Sequence, residues 1–273
     1  MAAASTALHP VLTGPVRPGT VLGVLPGAVH VLLDGVPPEG GGVLAVLSPR
    51  AARLPIGVVP PASAWSADRR LGPEVAPGAP ALIGDGAVRI AGLSWRVSRW
   101  WDPRVPRLGV PVPAAISVLI GRLPAPPAAL AGPTARLAEA LGTPAMAGLD
   151  AAVSGLVGLG PGLTPAGDDV LTGCLVALRA FGADALQGRL ALSAVRRMPA
   201  TTLLSKALLA RAGEGEGVPE LIGLLRACTG SDPDRVATAV AGLARVGHSS
   251  GTAMGHGALV GIRAAVSARA VAA

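Results

Sequence analysis

The chain has 273 residues, of which 51% are hydrophobic, and it carries a formal net charge of +7 at pH 7. Only 2% of the residues are aromatic and tyrosine is absent, so the core must be built from Ala, Val and Leu. The positive charge comes from scattered arginines without interleaved aromatic side chains, which argues against a nucleic-acid-binding surface. The two cysteines form no CxxC pair, which argues against a structural zinc site.

The cellular location is predicted from the absence of targeting patterns. The first ten residues, MAAASTALHP, lack a basic segment followed by a long apolar run, so no signal peptide is expected. No stretch of about 18 residues runs without Gly, Pro or charge as a membrane span would. The sequence therefore predicts a soluble cytoplasmic protein without membrane or nucleic-acid partners.

Residues 1–112 are predicted to form a β-rich domain that folds as a small barrel or sandwich. Asp85-Gly86 separates two apolar runs and predicts a hairpin. Frequent prolines argue against long central strands. Five further segments are predicted as strands: Thr20–Leu25, His30–Leu33, Val43–Leu47, Ile56–Val59 and Ala91–Trp101.

Residues 113–273 are predicted to form a mainly helical domain, which makes the fold class α+β. Apolar residues recur at helical spacing in Asp168–Phe181, and Ser231-x-x-Asp234 resembles a capping box. The other predicted helices are Thr134–Leu141, Asp150–Leu159, Thr201–Arg211, Val218–Cys228 and a last one from Ser250 to about Arg269.

A glycine- and proline-rich loop, GLGPGLTPAGDDV, leads into the Asp168–Phe181 helix. Glycines allow backbone N–H groups to approach a ligand, and a helix N-terminus favours an anion. The sequence therefore predicts that this loop binds phosphate or a carboxylate. The candidate ligand-binding residues here are Gly160, Gly162, Thr164 and Gly167.

Asp168 and Asp169 complicate this anion site, because carboxylates repel an anion unless they hold a cation or a protonated group. A divalent cation is therefore one alternative, although the sequence identifies no cofactor. Another is that one aspartate only caps the helix while the glycines form a tight turn. The loop lacks the GK[ST] of a P-loop, and a helix rather than a strand is expected before it, unlike in a Rossmann fold.

A second segment, Gly247-His248-Ser249-Ser250-Gly251, lies between two predicted helices. His248 can exchange protons near neutral pH, and the two serines can donate hydrogen bonds to an anion. Gly251 is a further candidate ligand-binding residue of this segment. The alternative is an N-cap serine beside a packed histidine. No Gly-x-Ser-x-Gly elbow is present, which argues against a serine hydrolase, and His256 is interpreted as structural.

A third segment, PATTLLSK, opens the helix predicted from Thr201. Thr201, Thr202 and Ser205 place hydroxyl groups in its first turns, where they could contact a ligand. Lys206 is the only lysine of the chain, and an ammonium group can exchange protons where a guanidinium cannot; a solvated helix lysine is the alternative. Each of the three segments places small polar residues at a helix N-terminus, so their convergence would form a polar pocket.

These segments resemble a bacterial family that includes the AllH subunit of oxamate carbamoyltransferase. The family pattern is a GLGPGLTPSGDD-like loop opening a helix, a downstream T-x-x-S helix and a GHSSG-like segment. The sequence here has GLGPGLTPAGDD at 158–169, TTLLS at 201–205 and GHSSG at 247–251, and Trp101-Asp102-Pro103 is similar to the family's N-terminal half. Ala166 stands where serine is usual, and the residues after GHSSG also depart from the family pattern.

The resemblance implies phosphorolysis of a ureido acid such as oxalurate to oxamate and carbamoyl phosphate, in purine or allantoin breakdown. Other enzyme subunits and phosphate as co-substrate are implied with it. His248 is then expected to act as acid or base on the leaving nitrogen, and Asp168 and Asp169 to orient a ureido N–H or a cation. Two alternatives stay open: a non-catalytic subunit that binds a metabolite or partners, and a metal-dependent amidohydrolase, which the absence of HxH and HExxH patterns disfavours.

Overall fold

The computed structural model describes residues 1–272, and the chain divides into two compact units, Met1–Pro103 and Arg104–Ala273. The first unit is a closed eight-stranded barrel with strand order β1-β5-β4-β3-β2-β6-β7-β8. Its strands are β1 (Ala2–Ser5), β2 (Arg17–Leu25), β3 (Ala28–Leu33), β4 (Val43–Leu47), β5 (Gly57–Val59), β6 (Pro80–Gly84), β7 (Ala87–Ile90) and β8 (Leu93–Trp101), with a short helix α1 (His9–Thr13) after β1.

Small aliphatic side chains fill the barrel, as the aromatic-poor composition requires. Val29, Val31 and Val46 are among its fully buried residues. The predicted hairpin forms between β6 and β7, where Asp85 and Gly86 both have positive φ, +51° and +68°, as a two-residue type I′ turn needs. A closed barrel has no free sheet edge, which lets short strands form a stable unit.

Nine helices follow in the described part of the second unit. They are α2 (Pro113–Arg122), α3 (Ala128–Leu141), α4 (Met146–Ser154), α5 (Ala166–Ala180), α6 (Asp184–Arg197), α7 (Leu203–Gly213), α8 (Pro219–Ala227), α9 (Pro233–Leu243) and α10 (Ser250–Ala272). The predicted α+β fold, a β-rich barrel followed by helices, is confirmed. None of the helices in residues 1–272 is long and apolar enough to cross a membrane.

Helices α5 and α10 pack so closely that several glycines have no room for a side chain. A Cβ atom on Gly173 would lie 2.0 Å from the Met254 carbonyl oxygen, and one on Gly257 would lie 1.9 Å from that of Val170. A Cβ atom on Gly261 would meet the Cys174 carbonyl at 2.7 Å. Backbone therefore packs directly on backbone along this contact, which we call the glycine seam.

Several predicted element boundaries were wrong. Helix α4 ends at Ser154 rather than at Leu159, because the chain already turns into the glycine-rich loop. The N-cap of α9 is Asp232, whose side chain accepts hydrogen bonds from the Asp234 and Arg235 amides, so Ser231 does not form the predicted capping box. The strand β1 was not predicted, and β2 and β8 each reach nine residues despite the nearby prolines.

Candidate functional site

The N-termini of α5, α7 and α10 are joined by side-chain hydrogen bonds. The Thr164 and Ser250 hydroxyl oxygens lie 3.1 Å apart, which links the loop before α5 to the start of α10. The Thr202 hydroxyl donates to the Leu163 carbonyl at 2.5 Å, which links the same loop to the start of α7. The three segments that the sequence singled out therefore come together at one place, which we call the polar cluster.

The loop that precedes α5 depends on its glycines. Gly158 and Gly160 have φ values of +72° and +110°, a region that other residues rarely adopt. A side chain on Gly158 would also lie only 2.5 Å from the Ala200 carbonyl oxygen. The backbone therefore approaches the start of α7 closely and then turns outward, so that residues 160–163 are exposed.

This exposed loop presents backbone donors that have no partner within residues 1–272. Five of its N–H groups donate no hydrogen bond there, and Pro161 and Pro165 have none to give. A row of free amides in a turn that leads to a helix N-terminus is a suitable binding surface for an anion. The free amides belong to Gly160, Gly162, Leu163, Thr164 and Ala166.

Gly167 and Gly251 have a different environment from the other predicted ligand-binding glycines. The Gly167 amide donates to the Leu159 carbonyl, and that of Gly251 donates to the Val246 carbonyl. A side chain on either would overlap backbone, at 2.0 Å from the Leu156 oxygen and 1.7 Å from the Leu243 oxygen respectively. Both glycines thus have a packing requirement that explains them without a ligand.

Asp168 is the centre of the hydrogen bonding beneath the loop. It is 1% exposed, and its Oδ1 accepts the Gly158 amide at 2.9 Å. Its Oδ2 accepts the Ser205 hydroxyl at 2.7 Å and also the Thr201 hydroxyl. The N-cap of α5 is Pro165, without a side-chain cap, so the idea that an aspartate merely caps this helix is wrong. Asp168 instead holds the loop onto α7.

Asp169 is buried beside Asp168 but lacks comparable partners. It is 5% exposed, and its Oδ2 has no hydrogen-bond partner in the described chain. Burial raises the pKa of Asp169 to about 7; the Ser250 hydroxyl lowers it and the neighbouring Asp168 raises it further. This carboxyl group therefore exchanges its proton near neutral pH, in contact with a hydroxyl that also meets the loop.

The Gly247–Gly251 segment forms the turn before α10. His248 and Ser249 are exposed, and neither side chain makes a hydrogen bond within the described residues. The Ser249 carbonyl accepts a hydrogen bond at 3.0 Å from the Ala253 amide, which belongs to the first turn of α10. Ser250 is half-buried, and it is the residue of this segment whose side chain reaches the loop.

The side chains of the two remaining residues of interest take no part in these hydrogen bonds. Lys206 is half-buried on α7, and its ammonium group forms no ion pair within residues 1–272. His256 is buried on α10; burial lowers its pKa, and a hydrogen bond with the Pro124 backbone acts in the opposite direction.

The described residues contain no group of three or more His, Cys, Asp or Glu side chains placed to hold a metal ion. Both oxygens of Asp168 already accept hydrogen bonds from the protein. A cation would therefore have to be bound by Asp169 with backbone or hydroxyl oxygens.

The comparison with known families matches part of the helical unit. The model described as oxamate carbamoyltransferase subunit AllH matches residues 156–262. This segment of the chain is AllH-like. The matched range contains the loop, the Thr201–Ser205 segment and the Gly247–Gly251 segment, so the family resemblance drawn from these motifs is confirmed there. No solved structure matches the chain.

Sequence reasoning missed the backbone part of the cluster. The Leu163 carbonyl accepts a hydrogen bond from Thr202 of a distant segment, and the Gly158 amide donates one to Asp168 across the loop. The positive-φ glycines were a signal for an exposed turn, but no local pattern indicates that Asp168 pairs with residues 33 and 37 positions later.

Proposed function

We propose that this chain is a subunit of a carbamoyltransferase that transfers a carbamoyl group between a ureido acid such as oxalurate and phosphate, within a complex with other subunits in purine or allantoin catabolism. The observation that carries the proposal is the exposed row of free amides beside a buried carboxyl group that titrates near pH 7. The description of the matched family as an oxamate carbamoyltransferase subunit supports the substrate class.

The free amides of the 160–166 segment would bind the anionic groups. In the direction that consumes oxalurate, a phosphate oxygen attacks the ureido carbonyl, a C–O bond forms, the C–N bond breaks, and the leaving nitrogen gains a proton. Oriented N–H donors stabilise both the phosphate and the negative charge that develops on the carbonyl oxygen. Gly162 and Leu163, at the exposed tip, are the first donors that such a ligand would meet.

Ser250 and Asp169 would handle the proton. Ser250 lies between the Thr164 hydroxyl and the Asp169 carboxyl group, so it can pass a proton between that carboxyl group and a ligand on the loop. A group with a pKa close to the ambient pH is suited to general acid–base catalysis. In this scheme Asp169 is a positioning residue that acts through Ser250, and Asp168 is structural.

His248 is the second candidate for the proton transfer. Its ring is exposed at the start of α10 and is free to contact a ligand or another subunit. An imidazole at this position can act on the leaving nitrogen without an intermediate hydroxyl. Ser249, exposed beside it, would donate a hydrogen bond to the same anion.

The test is the formation of carbamoyl phosphate from oxalurate and phosphate by the complex that copurifies with this chain. We expect Asp169→Asn or His248→Gln to lower kcat about 100-fold, the usual effect of losing a general acid or base. Glu139→Gln, the same change at an exposed site on α3, should leave the rate unchanged.

Two results would count against the proposal. If both variants are folded and keep the wild-type rate, the polar cluster is not the catalytic site. If the other subunits are fully active without this chain, and the substitutions change only oxalurate or phosphate binding, the chain is a non-catalytic binding subunit.

A further inference from the structure

The barrel carries a cavity that the proposed function does not use. Its volume is about 420 Å3, within the usual range for small-molecule sites. Three adjacent strands form its floor, because Val59 on β5 and Arg99 on β8 are both register partners of Ala3 on β1. Ala2 and Ala4 are buried inside the barrel, so Ala3 faces outward and the cavity lies on the outer wall.

The walls of this cavity are flat and stiff. Pro49, Pro60 and Pro61 line it, together with Trp100 and Trp101. The chain contains four tryptophans, one phenylalanine and no tyrosine, so two of its five aromatic side chains lie at this one cavity. Trp100 contacts the His9 ring, with 4.9 Å between the ring centres, and 36% of the residue is exposed, so the exposed part of its ring is available for stacking.

The charge of the cavity is positive. Arg53 and Arg99 line it, and no acidic side chain does. The Arg53 guanidinium lies 5.6 Å from the centre of the Trp101 ring, a cation–π contact that fixes its position. Neither arginine forms an ion pair with a carboxylate in the part of the chain that the structure describes.

We propose that this cavity binds a planar heteroaromatic anion of the nucleoside monophosphate type. The flat base would stack on Trp100 and the prolines, and the phosphate would pair with Arg53 and Arg99. Guanidinium groups bind phosphate through paired charge-assisted hydrogen bonds, and base–aromatic stacking adds affinity. None of the residues that line the cavity belongs to the polar cluster, so the barrel would provide a second ligand-binding function.

The purified full-length chain can be titrated with AMP while its tryptophan fluorescence is followed. We expect saturable quenching with a dissociation constant below about 1 mM. Adenosine, which lacks the charge, and inorganic phosphate, which lacks the ring, should each bind at least about tenfold more weakly than AMP, because each loses one of the two contacts.

Substitutions then locate the site. Arg99→Gln should weaken AMP binding about tenfold or more, and Trp100→Leu about fivefold or more. Arg96→Gln removes the same charge from an exposed position on the same strand that does not line the cavity, and should change affinity less than about twofold. Arg53→Gln provides a second charge variant should Arg99→Gln unfold the barrel.

The proposal is overturned if AMP gives no saturable signal, if phosphate alone binds as tightly as AMP, or if the Arg99 and Arg96 variants bind AMP equally. It is also overturned if an adenylate decamer binds far more tightly than AMP, because that result would identify a single-stranded nucleic acid surface. Activity of the complex enters none of these measurements, so failure here is distinct from failure of the proposed transferase function.

Discussion

The glycine seam and the polar cluster both involve α5 and α10, and they use glycine in opposite ways. In the seam, Gly173 and Gly257 are required because neighbouring backbone occupies the space of a side chain. At the cluster, Gly162 has open space around it and is suited to its position by a φ of +96°. The tight seam holds the start of α5 beside that of α10, where the buried Asp169 carboxyl group interacts with the Ser250 hydroxyl.

The largest loss of stability is expected from adding a side chain within the glycine seam. Gly257→Ala would place a methyl group 1.9 Å from the Val170 carbonyl, so the helices must separate. We expect a loss of about 3 kcal/mol or more in the free energy of unfolding, measured by urea denaturation. Gly188→Ala on α6, where a side chain meets open space, is the matched control and should stabilise by about 0.5–1 kcal/mol. Equal effects at both sites would show that the seam is not tight.

The second-largest loss of stability is expected at Asp168, which accepts hydrogen bonds from three residues of the polar cluster. Asp168→Ala leaves the Gly158 amide and the Ser205 and Thr201 hydroxyls without their acceptor. We expect a loss of about 3 kcal/mol, from several unsatisfied buried donors. Asp169→Asn at pH 7 should cost far less, because it removes a carboxyl group whose Oδ2 has no partner. A larger loss at Asp169 than at Asp168 would reverse the assigned roles.

The smallest effect is the change in the free energy of unfolding that the titration of Asp169 causes per pH unit. Burial raises its pKa from 3.8 to about 7 in the folded chain, so between these values the folded state binds one proton more than the unfolded state. Its contribution to the free energy of unfolding is therefore complete below about pH 4 and falls by about 1.4 kcal/mol per unit as the pH rises towards 7.

This dependence is checked by urea denaturation of the wild type and Asp169→Asn at pH 5, 6 and 7. The stability of the wild type relative to the variant should fall with rising pH by the slope given above. A difference that stays constant across this range would mean that the carboxyl group has an ordinary pKa.

Local sequence signals predicted many strands and helices of the barrel and of the helical unit, but not the contacts between them. The apolar run Val43–Leu47 coincides with β4, and the predicted start of the last helix at Ser250 is confirmed. Strand β1 was missed because its sequence, AAAS, carries no β-branched signal; pairing with β5 and β8 makes it a strand. The seam glycines at 173, 257 and 261 carry no local signal that distinguishes them from other helical glycines, and only tertiary structure selects among them.

The position of β1 in the barrel has a consequence for how the chain folds. Ala2–Ser5 pairs in parallel with β8, from Val97 to Trp101, so the barrel closes between its first and last strands. During synthesis β1 can pair with β5 early, but its other edge has no partner until β8 has left the ribosome, so the unfinished sheet has open edges in that interval. We therefore expect barrel closure to be a late step in the folding of this unit, and the open sheet edges are where nascent chains would pair wrongly with one another.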